Sequence, residues 1–539
     1  MLEKFTNQHW DVIIVGTGMG GATLGHALAK AGKRVLFCEK GKFQDAATIL
    51  KGLYPEEQFN PPSVPQPIHQ PLLADAGRNW EIVTDRSTAN PKSYVPFIGA
   101  GTGGSTALYG MALERFFPQD FTPRANHPLA TDSSLPESWP ITYDELAPYY
   151  NEAEALFRIR GDVDPLRDRH FNPLYQKPPP MTKGSHALFE FLKVKGYHPY
   201  RLPLACEFKE GCNCCQGFLC PLQCKNDSNR VCLTPALEKF DAQLLDECQV
   251  IRLEATATNI TGVVCKRHDE TFTLRAMIVV LAAGALYTPG ILLNSASTLW
   301  PQGIANNSGM VGKNLMRHYV DLHLLNLKTR GIADNRFKEL AFNDFYFSAS
   351  EKLGSVQSFG ALPPAKLLAE SLGHDLQHGP LPFVGIFYKL IQPIIQKYLA
   401  YILPRRLILA SVVEDLPYTD NRVEIDKSTG HLQLFYNIHP GELKRIEQMR
   451  NKMHHLFKPF KPLLIQQAEN NERLAHVCGT CRFGDDPTKS VLDKNNKAHG
   501  VDNLYIVDAS FFPSSGGINP GLTIAANALR VARVIQSLC

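Results

Sequence analysis

The sequence predicts an α/β protein whose parallel sheet is assembled from segments at both ends and in the middle of the chain. Three observations carry that expectation. Residues 11–39 read as strand, glycine turn, helix, strand; residues 276–295 read as strand, turn, helix; and residues 503–535 close the chain with a strand followed by a helix. Long stretches separate these segments, so the domains are expected to be discontinuous. At 539 residues the chain also exceeds what one hydrophobic core of ordinary size supports.

Composition narrows the class. With 44% hydrophobic and 20% charged residues the chain is globular, which excludes a disordered or fibrous protein. Lys plus Arg at 56 against Asp plus Glu at 52 leaves a net charge of +4, too weak a field to select nucleic acid. The N-terminal apolar run Val12–Val15 is short and leads directly into glycines, so no secretory signal is read and a cytoplasmic location is expected. The apolar tract 381–413 is broken by Lys389, Gln392, Pro393, Lys397, Pro404, Arg405 and Arg406, which excludes a transmembrane span.

The first unit is the most informative. Asp-Val-Ile-Ile-Val is a buried-strand run, Gly16-Thr-Gly18-Met-Gly-Gly21 follows at once, residues 22–31 favour helix, and a second strand ends at Glu39. This is the dinucleotide fingerprint in its proper context. Gly16 permits the tight turn, Gly18 lets backbone approach a pyrophosphate at the helix N-terminus, Gly21 lets helix and strand pack closely, and Glu39 accepts from a ribose hydroxyl. The motif does not separate FAD from NAD, although its place at the start of a long chain favours FAD by analogy.

Residues 58–96 are rich in Pro, Asn and Gln with little periodicity, as in a long excursion. A second glycine cluster, residues 99–106, allows close backbone approach to a ligand. Residues 139–161 read as a capped amphipathic helix. Near the C-terminus Asn519 is expected at the N-cap and Pro520 at the first position of the helix 521–535, whose positive end would favour negative charge beside it. His476 opens His-Val-Cys-Gly-Thr-Cys-Arg, and an imidazole with a pKa near about 6.5 takes a proton from an alcohol with little tuning.

In order, these segments resemble the glucose-methanol-choline (GMC) flavoprotein oxidoreductases over essentially the whole chain. The resemblance rests on Gly16/Gly18/Gly21 with Glu39, GTGGSTALYG at 101–110 followed by Arg115, WPITYDELAPYYNEAE at 139–154, GALYTPGILLNSA at 284–296, and the terminal HVCGTCRFG, HGVDNLYIVDAS and GGINPGLTI. Ala296 and Ser297 depart from the family's second signature. The fold implied is α/β (α+β overall): a discontinuous Rossmann-like FAD-binding domain and a substrate domain built on an antiparallel sheet. The corresponding division is residues 1–317 mainly FAD-binding, with excursions at 50–95 and 165–230; 318–465 substrate-binding; and 466–539 returning to the FAD domain.

The resemblance further implies FAD-dependent oxidation of a small-molecule alcohol, with His476 as base, Asn519 hydrogen-bonding the developing alkoxide, and the hydride passing to flavin N5. By the same route Gly101, Gly104, Ser105, Val250, Ala283, Asp508, Ala509 and Pro520 join the cofactor-binding set. The second glycine block lacks the histidine that attaches FAD covalently in some relatives, so FAD is expected to be non-covalent. The alternative reading is a GMC-fold lyase or photo-decarboxylase that uses FAD without net alcohol oxidation.

Thirteen cysteines are present, seven of them between Cys206 and Cys232. Soft thiolates at that density suit a metal, because several sulfurs can converge from a short loop. Cys214, Cys215, Cys220 and Cys224 resemble, in spacing, the three-iron cluster loop of membrane-bound bacterial glucose, gluconate and fructose dehydrogenases, where electrons leave through a cytochrome. Lys225 stands where those enzymes have proline. Three readings stay open: an iron–sulfur cluster with a quinone or cytochrome acceptor, structural or disulfide-paired thiols, and zinc. Cys478 and Cys481 are read as structural. Within the apolar tract, Phe383, Phe387, Ile391, Ile394, Ile395, Tyr398 and Ile402 recur at roughly helical spacing, as a core-facing helix or as an interfacial segment giving peripheral membrane association.

Overall fold

The computed structural model describes residues 2–44, 50–59, 65–168, 171–327, 334–347, 351–377 and 382–538. Its first sheet is seven-stranded and grows outward from the strand His9–Val15, an apolar run buried at all but its first and third positions. That strand pairs in parallel with Val35–Cys38 on one side and with the long strand Glu270–Leu281 on the other. Gln243–Leu245 extends the sheet beyond Val35–Cys38, and Leu504–Ile506 adds in parallel to Val279–Leu281, so three distant parts of the chain share one sheet. The other half of Glu270–Leu281 leaves this parallel layer and forms an antiparallel meander with Ile260–Arg267 and Cys248–Ala255.

Helices Met19–Lys30 and Tyr143–Phe157 both pack on the terminal helix Gly521–Gln536. Tyr143–Phe157 starts where the sequence implies: Thr142 Oγ1 accepts from the Glu145 amide at 3.2 Å, and the Glu145 carboxylate accepts from the Thr142 amide at 2.7 Å, a reciprocal cap that satisfies otherwise orphaned donors. The large core of this half includes Trp139, whose indole N–H donates to Ser514 Oγ at 2.7 Å.

The second sheet is six-stranded and antiparallel, in the order Leu463–Ile465, Tyr319–Leu325, Leu407–Val413, Gly354–Ser358, Leu340–Phe342, Tyr200–Arg201. Its last strand comes from far earlier in the chain than the others. A third sheet of four strands joins Val83–Asp85 and Lys92–Tyr94 to Leu432–Phe435 and Arg422–Ile425. Residues 58–96 therefore contain strands as well as an excursion; at three residues each they carry too little alternation to be read.

The tract 381–413 resolves into a helix, Pro382–Ile402, and the strand Leu407–Val413. The helix packs on its neighbour Ala365–Gln377, where the Tyr388 hydroxyl donates to the Ala369 carbonyl at 2.8 Å. Of the stripe read from sequence, Ile402 is buried, whereas Ile391, Ile394 and Tyr398 are exposed, Ile394 at 68%. The core-facing expectation thus holds only in part. The side chains of Phe383 and Phe387 lie outside the described residues. Among the described residues no helix is long and apolar enough to cross a membrane.

Candidate active site

A cavity of about 630 Å³ runs from the C-terminal ends of the parallel strands to the antiparallel sheet. At one end it is lined by Gly16, Gly18, Glu39, Gly104, Ser105, Val250, Ala283, Asp508 and Ala509, and at the other by Val320, Lys338, Gln357, Ala410, Val412, His476 and Asn519. Two of the glycines explain the first end. Gly16 has φ +97°, and a Cβ there would lie 2.5 Å from the Ala282 carbonyl oxygen. At Gly18 a Cβ would meet no atom within 4 Å, so the absent side chain opens space for a ligand at the N-terminus of helix Met19–Lys30.

Two members of the sequence-derived set do not line the cavity. A Cβ on Gly21 would stand 2.2 Å from the Gly16 carbonyl, so Gly21 serves helix–strand packing, as its place in the motif implies. Gly101 does not line the cavity: its Cβ position would be 3.2 Å from the Lys42 carbonyl, and Gly99, Ala100 and Gly104 face the cavity beside it. Its φ of +149° is one that L side chains rarely adopt, which suits glycine there.

The two acids differ in what they have left to offer. The Glu39 carboxylate accepts from the Thr17 amide at 3.1 Å, the Thr17 hydroxyl at 2.6 Å and the Gly41 amide at 3.1 Å. A carboxylate has about four acceptor sites, which leaves about one for a ribose hydroxyl. Asp508 accepts from the Gly284 amide, the Thr288 hydroxyl, and the amide and hydroxyl of Ser510, which uses all of its sites. It clamps the turn before helix Gly284–Asn294, and only its backbone remains to meet a cofactor.

The other end is built by pairing two distant segments. Met316 and Cys478 exchange backbone hydrogen bonds at 3.0 and 2.9 Å, and the His318 amide donates to the Ala475 carbonyl at 2.9 Å. This lays His318 beside His476, with Nδ1 to Nδ1 at 2.8 Å and the rings nearly perpendicular at 81°. His476 itself sits at φ +57°, a left-handed conformation that costs a non-glycine residue about 1–2 kcal/mol and that swings its ring toward the cavity. On its far side, His476 Nε2 is 3.4 Å from Asn519 Nδ2.

Asn519 does not cap the terminal helix as expected. Helix Gly521–Gln536 has Pro520 as its N-cap, and the first intrahelical bond runs from the Ile524 amide to the Pro520 carbonyl. Placed one residue further out, the Asn519 side chain is released to the cavity, where its buried Oδ1 has no partner among the described residues. Electrostatics favour neutral rings here. Burial, then His318, then Lys338 hold the His476 pKa well below the usual imidazole value, and burial brings His318 down to about 4. Lys338 lines the same end, and burial lowers it to about 8.

Behind the wall formed by Tyr109, Met111 and Ala112 lies the cysteine-rich lobe. The four sulfurs singled out by spacing do not converge among the described residues. Cys206, Cys212 and Cys214 lie within 4.8 Å of one another, with Cys206 Sγ 3.8 Å from Cys212 Sγ and 3.9 Å from Cys214 Sγ. Cys215 faces Cys220 instead. The reason is local: Cys214 has φ +44°, which turns the chain there, and the side chains of adjacent residues point to different neighbours. Lys225 is buried and donates to the carbonyls of Ala107 and Phe218 at 2.7 and 3.2 Å. The described cysteines are all unpaired.

Two models of one family, both described as GMC oxidoreductase, match residues 139–320 and 417–528, together more than half of the chain. The chain belongs to the GMC oxidoreductase family. An FAD binding domain model matches residues 11–50, a span that takes in the first strand, the glycine turn, its helix and the second strand. Among relatives, this GMC chain is 29% identical to 6'''-hydroxyparomomycin C oxidase of Streptomyces lividus over 98% of its own length and 91% of the relative's. It is 27% identical to 2-methyl-1,2-propanediol dehydrogenase of Mycolicibacterium austroafricanum, over 98% and 95%. The solved structure of pyridoxine 4-oxidase from Mesorbium loti superposes with a TM-score of 0.61 at 18% identity, over 98% of this chain and 99% of that one, which establishes the fold. The protein is an FAD-dependent oxidoreductase acting on CH–OH groups.

The cavity fits FAD: space opens where Gly18 lacks a side chain, a carboxylate stands at the end of the second strand, and an unpaired buried oxygen waits beside His476. Sequence reasoning did not find His318, Lys338 or Gln357. None carries a local signal, since each reaches the cavity only through the pairing of segments far apart in the chain.

Proposed function

We propose that this chain oxidises a small alcohol or sugar hydroxyl to a carbonyl, with His476 as the base and Asn519 as the hydrogen-bonding partner of the developing alkoxide. The observation that carries this reading is the His476–Asn519 pair: an imidazole nitrogen and an amide donor, Asn519 Nδ2, 3.4 Å apart at the end of the cavity. FAD, when bound, supplies the hydride acceptor. Every other task falls to the protein. Gly16, Gly18, Gly104, Ser105, Val250 and Ala283 would hold the cofactor without a covalent bond, there being no histidine in residues 101–110. Pro520 and Gly521 bring the positive end of the terminal helix to the cavity, which favours negative charge there. The antiparallel sheet contributes Val320, Gln357, Ala410 and Val412, which supports reading residues 318–465 as the substrate-binding part. Apolar walls exclude water and strengthen the polar contacts that remain.

The test is anaerobic mixing of the holoenzyme with a panel of alcohols and sugars while the flavin absorbance is followed. Bleaching by one of them supports the reading; a flavin that stays oxidised with all of them while substrate is cleaved or decarboxylated would replace it by lyase or decarboxylase chemistry. Reoxidation of the reduced enzyme by oxygen or by a quinone then assigns the acceptor. Iron and acid-labile sulfide in anaerobically purified protein decide whether the lobe around Cys206, Cys212 and Cys214 holds a cluster. The exposed apolar side chains Leu390, Ile391, Ile394 and Tyr398, flanked by Lys389 and Lys397, support association with a membrane surface, which co-sedimentation with liposomes checks.

A further inference from the structure

We infer that His318 sets the protonation pattern of the base: it keeps its own proton on Nε2, presents Nδ1 as an acceptor, holds the His476 proton on Nδ1, and so leaves His476 Nε2 as the lone-pair nitrogen facing the substrate. This rests on the reading of His476 as the base and assigns His318 as a positioning residue for it.

Two carbonyls fix the first proton. His318 Nε2 lies 2.9 Å from the Gly516 oxygen and 3.2 Å from the Ser515 oxygen, and carbonyl oxygens only accept, so Nε2 must carry a proton. Those carbonyls cannot swing away. The Gly517 amide donates to the Tyr346 hydroxyl at 2.8 Å, the Ser355 amide donates to the Gly517 carbonyl at 3.1 Å, and the Ser515 hydroxyl donates to the Asp415 carbonyl at 2.8 Å. Gly516, at φ +64°, fits against the Phe116 ring, which a Cβ would approach to 2.7 Å. The loop is therefore pinned on both sides of the two acceptors.

Charge fixes the second proton. A neutral imidazole with a proton on Nε2 has its lone pair on Nδ1. His318 is buried, and among the described residues its side chain hydrogen-bonds the two carbonyls and His476 and no carboxylate. Glu414 and Lys352 act on it only through space, with opposite sign, and Lys338 faces His476 from the cavity. Burial keeps the His318 ring neutral at working pH. At 2.8 Å one of the two Nδ1 atoms must donate, and with His318 occupied at Nε2 the donor is His476. His476 Nε2 is then free of hydrogen and oriented toward the Asn519 amide at 3.4 Å, which can donate to it.

The consequence for the reaction balances. The alcohol O–H bond breaks and its proton goes to His476 Nε2, the freed oxygen electron pair closes the C=O bond, and the carbinol hydrogen leaves with the C–H electron pair as a hydride, for which FAD when bound is the acceptor. The resulting imidazolium keeps its Nδ1 proton, now in a charge-assisted hydrogen bond to His318 Nδ1, so the buried positive charge is shared where water does not reach. Without an acceptor at this position the neutral ring would populate both tautomers, and only one has its lone pair on the nitrogen that meets the substrate.

The test has two arms. In holoenzyme labelled with 15N-histidine, nitrogen chemical shifts distinguish protonated from unprotonated ring nitrogens, and the signals are assigned by their loss in His318→Gln and His476→Ala. The expected pattern is a proton on Nε2 of His318 and on Nδ1 of His476; a proton on Nε2 of His476, or two on His318, overturns the inference. In the kinetic arm, His318→Leu removes the acceptor, whereas His318→Gln retains a carbonyl acceptor and an amide donor. Losing the orienting partner of a catalytic histidine elsewhere costs about 10⁴-fold, and for a neutral acceptor about 10²-fold slower flavin reduction is expected in His318→Leu, against less than about tenfold in His318→Gln. An unmoved rate in His318→Leu overturns the inference. Should His318→Leu fail to fold, the nitrogen shifts of wild type still decide. If His476→Ala reduces its flavin normally, the base assignment falls as well; if that variant is inactive and His318→Leu is not, only the inference falls.

Discussion

The two ends of the cavity are built on opposite principles. At the glycine end the protein satisfies its own polar groups: Glu39 is held by Thr17 and Gly41, Asp508 by Gly284, Thr288 and Ser510, and the space between them exists because Gly18 has no side chain. At the histidine end polar atoms are left under-used, with Asn519 Oδ1 unpaired and His476 Nε2 engaged only at 3.4 Å. Backbone shape prepares one end for a large rigid ligand. Side-chain chemistry distinguishes the other, where the proposed reaction would develop charge. Substitutions at the first end should therefore change binding and folding, and those at the second should change rate.

The sharpest way to break that contrast is His476→Ala. Flavin reduction should fall by about 10³-fold or more, general-base catalysis by a histidine accounting for about 10²–10⁴, while FAD content stays at the wild-type level in the purified protein's spectrum. Loss of FAD with an unchanged rate per bound flavin would reverse the assignment of the two ends. Asn519→Ala comes next, with about a 10²-fold slower reduction at saturating alcohol, since removing one donor to a developing oxyanion costs about 10²–10³. An effect confined to KM would mean that Asn519 only binds substrate.

Two glycine substitutions sharpen the other side. Gly16→Ala puts a methyl 2.5 Å from the Ala282 carbonyl at φ +97°, and should destabilise the fold by about 2–3 kcal/mol in thermal or denaturant unfolding. Gly18→Ala meets no protein atom within 4 Å, so its melting temperature as apoprotein should match the wild type while FAD affinity drops by about tenfold in a flavin titration. Equal effects in the two variants would remove the distinction between shaping the turn and contacting the ligand.

The smallest effect tests whether a depressed histidine pKa marks function by itself. His323 lies in strand Tyr319–Leu325, five positions beyond His318, and is buried with Nε2 3.0 Å from Ser411 Oγ. Burial lowers it to about 4, as it does His318, yet it does not line the cavity. Between that value and the unfolded value near about 6.5 the unfolded chain binds more protons, so the contribution of His323 to stability is complete above about pH 6.5 and is lost as pH falls toward 4. Wild type should lose about 2 kcal/mol more than His323→Gln between about pH 7 and 5, with no change in flavin reduction at pH 7. A change in that rate would show that burial alone, rather than contact with His476, couples a histidine to the reaction.

The legible parts of this protein are those where a residue type answers a local demand of the backbone. Gly16 needs a positive φ, Gly18 needs an absent Cβ, Thr142 and Glu145 cap each other, and Val12–Val15 read as a buried strand, so the parallel sheet and its cofactor cradle are foreseeable. Motif order then points to His476 and Asn519. Short strands such as Val83–Asp85 are not legible, nor is the turn at Cys214 that splits the cysteines into separate groups.

Sequence by itself thus determined the fold class, the nucleotide-binding turn and the histidine that we propose as the base. Tertiary structure alone decided what those groups touch: that Asn519 faces His476 rather than its own helix, that Gly101 does not line the cavity, that Cys206 and Cys212 join Cys214, and that His318 meets His476. The physical reason is range. Backbone conformation is set within a few residues and leaves its mark on residue type, whereas a contact between His318 and His476 exists only once residues 316–318 have paired with 475–478, and no spacing in the chain encodes that pairing.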